Sequence, residues 1–110
     1  MRSERQIYID FNSAEEQVQK LNRAADLLYE LADDLTRSLN QVIRQNWSGQ
    51  NADLYIEQEQ KVIDKVRREA DNTRNLATTT KQIANNLKNS ELRAVRIAKQ
   101  RAEEQRRRSQ

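Results

Sequence analysis

Three groups of residues in this 110-residue chain bear on chemistry. The first is a set of paired carboxylates, Glu15–Glu16, Asp33–Asp34 and Glu103–Glu104. Two carboxylates can divide acid and base roles when they face each other across a site. Neighbours in a helical stretch do not face each other, so these pairs read as solvated surface. The chain has no His and no Cys. That removes Ser–His and Cys–His nucleophilic couples and Cys/His zinc sites within one chain. A single Gly rules out a glycine-rich phosphate loop. No catalytic, cofactor-binding or metal-ligating residue is assigned, no cofactor is implied, and the chain reads as non-enzymatic.

The second group is basic. Arg93, Arg96, Lys99, Arg101, Arg106, Arg107 and Arg108 crowd the C-terminal end. With Lys88 they make eight basic side chains against three Glu from residue 88 onward, a local charge of +5; the rest of the chain, with twelve basic and fourteen acidic side chains, carries −2. Such a tail can contact phosphates or an acidic protein surface. It has no aromatic side chain to stack on bases, which ranks nucleic acid below an acidic protein. Basic residues at a helix C-terminus also complement the dipole with no partner at all. The third group is Trp47-Ser48-Gly49, which holds the only Trp and the only Gly.

The elements around these residues are legible. With no Pro and one Gly, long helices meet few breakers. Val18, Leu21, Ala25, Leu28, Ala32, Leu35, Leu39 and Val42 alternate spacings of three and four, a heptad stripe on a helix over about 14–45. Ala24, Leu31 and Ile43 widen it, while Glu16, Lys20, Arg23, Glu30, Asp34 and Arg37 take the opposite face. Ser13 and Glu16 form a capping-box pattern at its start. Residues 1–12 read as an extended arm, because Ile7, Ile9 and Phe11 alternate with polar neighbours.

A second helix is expected from Asn51 as N-cap, with Asp53 in its first turn. Ile56, Ile63, Ala70, Ala77 and Ala84 recur every seven residues; Val66 and Leu87 fall on the adjacent row, and Tyr55, Val62, Leu76 and Ile83 flank it. Two ends are open for this helix, one near Asn89–Ser90 and one near residue 105. Tyr29 and Tyr55 read as ordinary packing residues. The division is an arm over 1–12, a hairpin over 13–92 and a basic extension over 93–110. A lone hairpin is thin, and with no Cys to staple it, oligomerisation is the remaining source of burial. The expected fold is therefore all-α: a two-helix hairpin that pairs into an antiparallel four-helix bundle. Val18, Leu21, Leu28, Leu35, Leu39, Val42, Ile56, Ile63, Val66 and Leu87 are the expected interface. No apolar run is long enough to span a bilayer or to serve as a signal peptide, so synthesis as a soluble cytoplasmic protein is expected.

Between the two helices, Gly49 can take φ > 0 and reverse the chain. Trp47 adds a large apolar surface beside it. A W-x-G tripeptide between two long amphipathic helices, in a chain of about a hundred residues, resembles the WXG-100 family of early-secreted-antigen-like proteins, exported by bacterial type VII (Ess/ESX) secretion systems. The resemblance covers residues 7–92. It implies a helical hairpin that forms homodimers or heterodimers with a related chain. It also implies export without a cleaved signal peptide, with Trp47 and Gly49 as half of a signal read by the secretion machinery and its ATPase. The family's other half is a Y-x-x-x-D/E motif after the second helix. No Tyr follows Tyr55, and Tyr29…Asp33 and Tyr55…Glu59 have the spacing but lie inside the helices. The missing half implies a partner that supplies it, or a helper role for the helical domain of an LXG-type toxin. A structural coiled-coil adaptor and a basic nucleic-acid-associated protein are the readings from other classes.

Overall fold

A computed structural model describes residues 2–109. Helix α1 spans Glu4–Ser38 and is continued by a π-helical turn, Leu39–Ile43. A short α2 covers Arg44–Asn46, and α3 runs Gln50–Ser109. No strand occurs among the described residues. The all-α helical hairpin is observed; its contacts gather into two compact units, a turn unit (Lys20–Ala77) and a terminal unit built from the segments up to Gln19 and from Thr78.

In the turn unit the fully enclosed positions are small or aliphatic: Ala25, Ala32 and Leu39 on one limb, Ile63, Ala70 and Ala77 on the other. Ala32, Leu39 and Ile63 form its core cluster, with Leu35, Ile43, Ile56 and Val66 packed against them. Burial of Ile63 alone contributes about 1.5–3 kcal/mol. One side of this seam is laced by polar contacts between the limbs. Arg74 donates to Asn22 Oδ1 at 2.8 Å and pairs with Asp26. Arg67 donates to Thr36 Oγ1 at 3.2 Å and lies 3.6 Å from Asp33. The Tyr29 hydroxyl donates to Asp71.

In the terminal unit Ile7, Val18, Ala84 and Val95 are buried. Lys88 sits 4.0 Å from the centre of the Phe11 ring. Arg2 pairs with Asp10 and with Glu91 (3.2 Å), Lys81 with Glu15 (3.6 Å) and Lys99 with Glu4 (3.2 Å).

Several expectations are corrected. Residues 4–10 are helix, not an extended arm. The reason is that Ile7, Phe11 and Ala14 continue the three-and-four spacing of the stripe back from Val18, and Ser3 caps it. The Gln6 N–H donates to Ser3 Oγ (3.2 Å) and the Ile7 N–H to the Ser3 carbonyl (3.0 Å). Ser13 lies in mid-helix. Asn51 lies one residue inside α3, and the Asp53 N–H closes the first turn on the Gly49 carbonyl (3.0 Å). Helix α3 runs past both expected ends, so no break separates a hairpin from a basic extension at residue 92.

Val42 is exposed and Ile43 takes its place beside the core. The π turn adds one residue, marked by the Arg44 N–H reaching the Leu39 carbonyl, and the next inward position slips from 42 to 43. Leu87 is exposed too, because the buried row steps from Ala84 to Val95 rather than continuing by sevens.

Candidate functional site at the helical turn

The turn is built by three local events. Helix α2 ends when Trp47 adopts an extended backbone, φ −120° and ψ 143°, while its N–H still reaches the Ile43 carbonyl at 2.9 Å. Ser48 follows without helical structure. Gly49 then takes φ +99°, a conformation that side-chain-bearing residues rarely adopt, and α3 starts at once. An added Cβ at Gly49 would meet nothing within 4 Å, so backbone torsion rather than crowding demands glycine here.

This geometry leaves Trp47 58% exposed. Among the described residues its ring contact is Tyr55 on the first turns of α3, with centroids 6.1 Å apart and planes inclined by 45°. Tyr55, Leu54 and Val42 are exposed as well. Tyr55, expected as an ordinary packing residue, packs on Trp47 and stays half exposed. Sequence reading had placed Tyr55 beside the stripe but not against the Trp. A lone aromatic eight residues after a turn Trp is the signal that could have suggested it.

The other expected site residues are scattered. Among the expected interface residues, Val18, Leu39 and Ile63 are buried, and Leu21, Leu28, Leu35, Ile56 and Val66 are half-buried, all along the seam between the limbs. Of the basic residues, Lys99 is held by Glu4, and Arg93 and Arg96 border a shallow groove with Glu4, Tyr8, Asn89 and Leu92. Residues 101–109 are exposed throughout. Helicity there has its own cause: Glu103 and Glu104 stand four residues before Arg107 and Arg108, the favourable order for such pairs.

The carboxylate pairs do not assemble a reactive site. Glu15 pairs with Lys81, Asp33 with Arg67 and Asp34 with Arg37. No group of three or more His, Cys, Asp or Glu placed to hold a metal occurs among the described residues. The Tyr29 phenol is held above its ordinary value of 10.0, first by the hydrogen bond it donates to Asp71, then by desolvation and the Asp71 charge, with Arg74 opposing. No helix among the described residues is long and apolar enough to cross a membrane.

Comparison of the chain with known family models, curated proteins and solved structures finds no match.

Proposed function

We propose that the chain is a substrate or export partner of a type VII secretion system, acting by recognition and by pairing of helical hairpins into an antiparallel four-helix bundle. It performs no catalysis in this reading. The observation that carries it is the presentation of Trp47: the W-x-G tripeptide stands at an exposed reversal, with the indole facing solvent rather than sealing the seam. The hinge is read by the secretion ATPase as half of an export signal. The protein is made in the cytoplasm and leaves it without a cleaved signal peptide.

The missing tyrosine half-signal favours a partner chain that supplies it, either a related hairpin or the helical domain of an LXG-type toxin, for which this chain then serves as helper. Docking of an acidic surface on the basic end of α3 belongs to the same reading; binding to nucleic acid does not. The test is Trp47→Ala in a host with an active type VII system. Secretion of the chain and its partner is expected to fall to background while far-UV circular dichroism keeps its helical signal. Undiminished secretion overturns the export reading and leaves a structural adaptor.

A further inference from the structure

In both units, cations on α3 reach across to carboxylates on α1. In the turn unit Arg67 lies 3.6 Å from Asp33, and Arg74 pairs with Asp26. In the terminal unit Lys81 lies 3.6 Å from Glu15, and Lys99 lies 3.2 Å from Glu4. Arg93 and Arg96 break this rule. Both are exposed, and among the described residues neither enters an ion pair. Both border the same open groove of about 520 Å³, whose α1 wall is Glu4 and Tyr8 and whose α3 wall is Asn89, Leu92, Arg93 and Arg96.

The spacing explains why these groups converge. Glu4 and Tyr8 stand four residues apart, and Asn89, Arg93 and Arg96 follow at steps of four and three, so each set shares one helix face. Where α1 could hold an acid for the two arginines it offers Tyr8, 48% exposed, which brings a hydroxyl and no charge. The groove's own carboxylate, Glu4, is taken by Lys99. The groove is therefore rich in donors, with two guanidiniums, an amide and a phenol, and short of acceptors. The apolar cavity of about 100 Å³ in the same unit differs: Arg2 on its rim is matched by Asp10 and Glu91.

The length of the groove says what fits it. From Asn89 to Arg96 the α3 wall rises about 10.5 Å, which an extended polypeptide covers in about three residues. That suits a short segment and not a helical hairpin. A nucleic acid strand fits less well. Its charges recur at every nucleotide and would crowd Glu4, and Tyr8 is a lone ring where single-strand binders stack successive bases on several. We propose that this groove binds a short acidic segment of another protein, whose carboxylates take at Arg93 and Arg96 the place that α1 acids hold at Arg67, Arg74, Lys81 and Lys99. The inference deepens the acidic docking set out under the proposed function, placing it in the groove and not on Arg106, Arg107 and Arg108. It is independent of the hinge.

The probe is fluorescein-labelled hexaglutamate, titrated with the full-length chain by anisotropy at about 0.1 M salt, where the Debye length is about 10 Å. Arg93→Ala with Arg96→Ala is expected to weaken binding about tenfold or more, because guanidinium–carboxylate bonds are charge-assisted. Arg106→Ala, Arg107→Ala and Arg108→Ala together remove more charge from the same helix. They stand about 15 Å or more along it from Arg96, so binding is expected to change less than about twofold. Tyr8→Glu supplies the absent acid from within the chain, and is expected to abolish probe binding and raise the midpoint of thermal unfolding. The proposal is overturned if the triple variant loses as much affinity as the double, if hexaglutamine binds as tightly, or if Tyr8→Glu binds the probe unchanged. It is also overturned if the unaltered chain shows no saturation by about 1 mM, or if a thymidine hexanucleotide binds more tightly than the peptide. All the substituted residues are exposed, so the fold is expected to hold, which circular dichroism checks. Trp47→Ala is expected to leave probe binding unchanged, so failed export and a failed groove are read separately.

Discussion

The turn unit and the terminal unit are made from the same two helices by different rules. In the turn unit the enclosed residues step by seven, from Ala25 through Ala32 to Leu39 and from Ile63 through Ala70 to Ala77. In the terminal unit they step by eleven, from Ile7 to Val18 and from Ala84 to Val95. A seven-residue step averages 3.5 residues per turn and favours a left-handed twist of the pair, whereas eleven averages 3.67 and favours the opposite hand. The chemistry differs with the step. Alanine lines much of the first seam and lets backbones approach, while the second uses larger side chains and covers Phe11 with Lys88. The lesson is that one long helix can carry two periods of enclosed residues along its length without a break.

Four substitutions test this contrast. Ile63→Ala removes the largest enclosed side chain of the α3 limb and is expected to cost about 2–5 kcal/mol, read from urea unfolding. If the seam is held mainly by its alanines, the loss falls well below that range. Ala70→Leu tests the alanines directly: overpacking a fully enclosed site is expected to cost about 1–3 kcal/mol. A neutral result would mean the limbs can separate, which hydrogen exchange across the turn unit would also show.

Ser3→Ala reports on the terminal unit. Loss of the cap that receives the Gln6 N–H is expected to cost about 1 kcal/mol and to speed amide exchange in residues 4–8. Unchanged exchange would show that Ile7 alone fixes this end. The smallest effect is expected at Tyr29. Its folded pKa is raised, so the hydrogen bond to Asp71 contributes fully below pH 10 and is lost as pH rises through the folded value. Tyr29 should therefore titrate late by ultraviolet absorbance, and Tyr29→Phe should abolish the late step.

Much of this architecture is legible in the sequence, and the misses have physical reasons. The long helices and the reversal at Gly49 follow from composition, the heptad stripe and the lone glycine. The start of α1 was missed because Ser3–Gln6 and Ser13–Glu16 carry the same capping pattern, and the alternation of Ile7, Ile9 and Phe11 imitates a strand. What decides between the two caps is that Ile7 and Phe11 stay in phase with Val18. The π turn was missed because it leaves no mark in composition; it appears only as the exchange of Val42 for Ile43. Leu31, Val62 and Leu76 had been placed beside the stripe, but their separation from it depends on how tightly the alanines let the two limbs close.

The π turn has one more consequence. A single extra residue between Leu39 and Ile43 turns everything beyond it by about 100° around the helix axis. Trp47 lies beyond it, four residues past Ile43. The compass bearing of the indole is therefore set by a segment that does not contain it. Shortening that segment by one residue would leave the tripeptide letter-perfect and point it elsewhere. The spelling of the tripeptide and the direction in which it points are separately encoded.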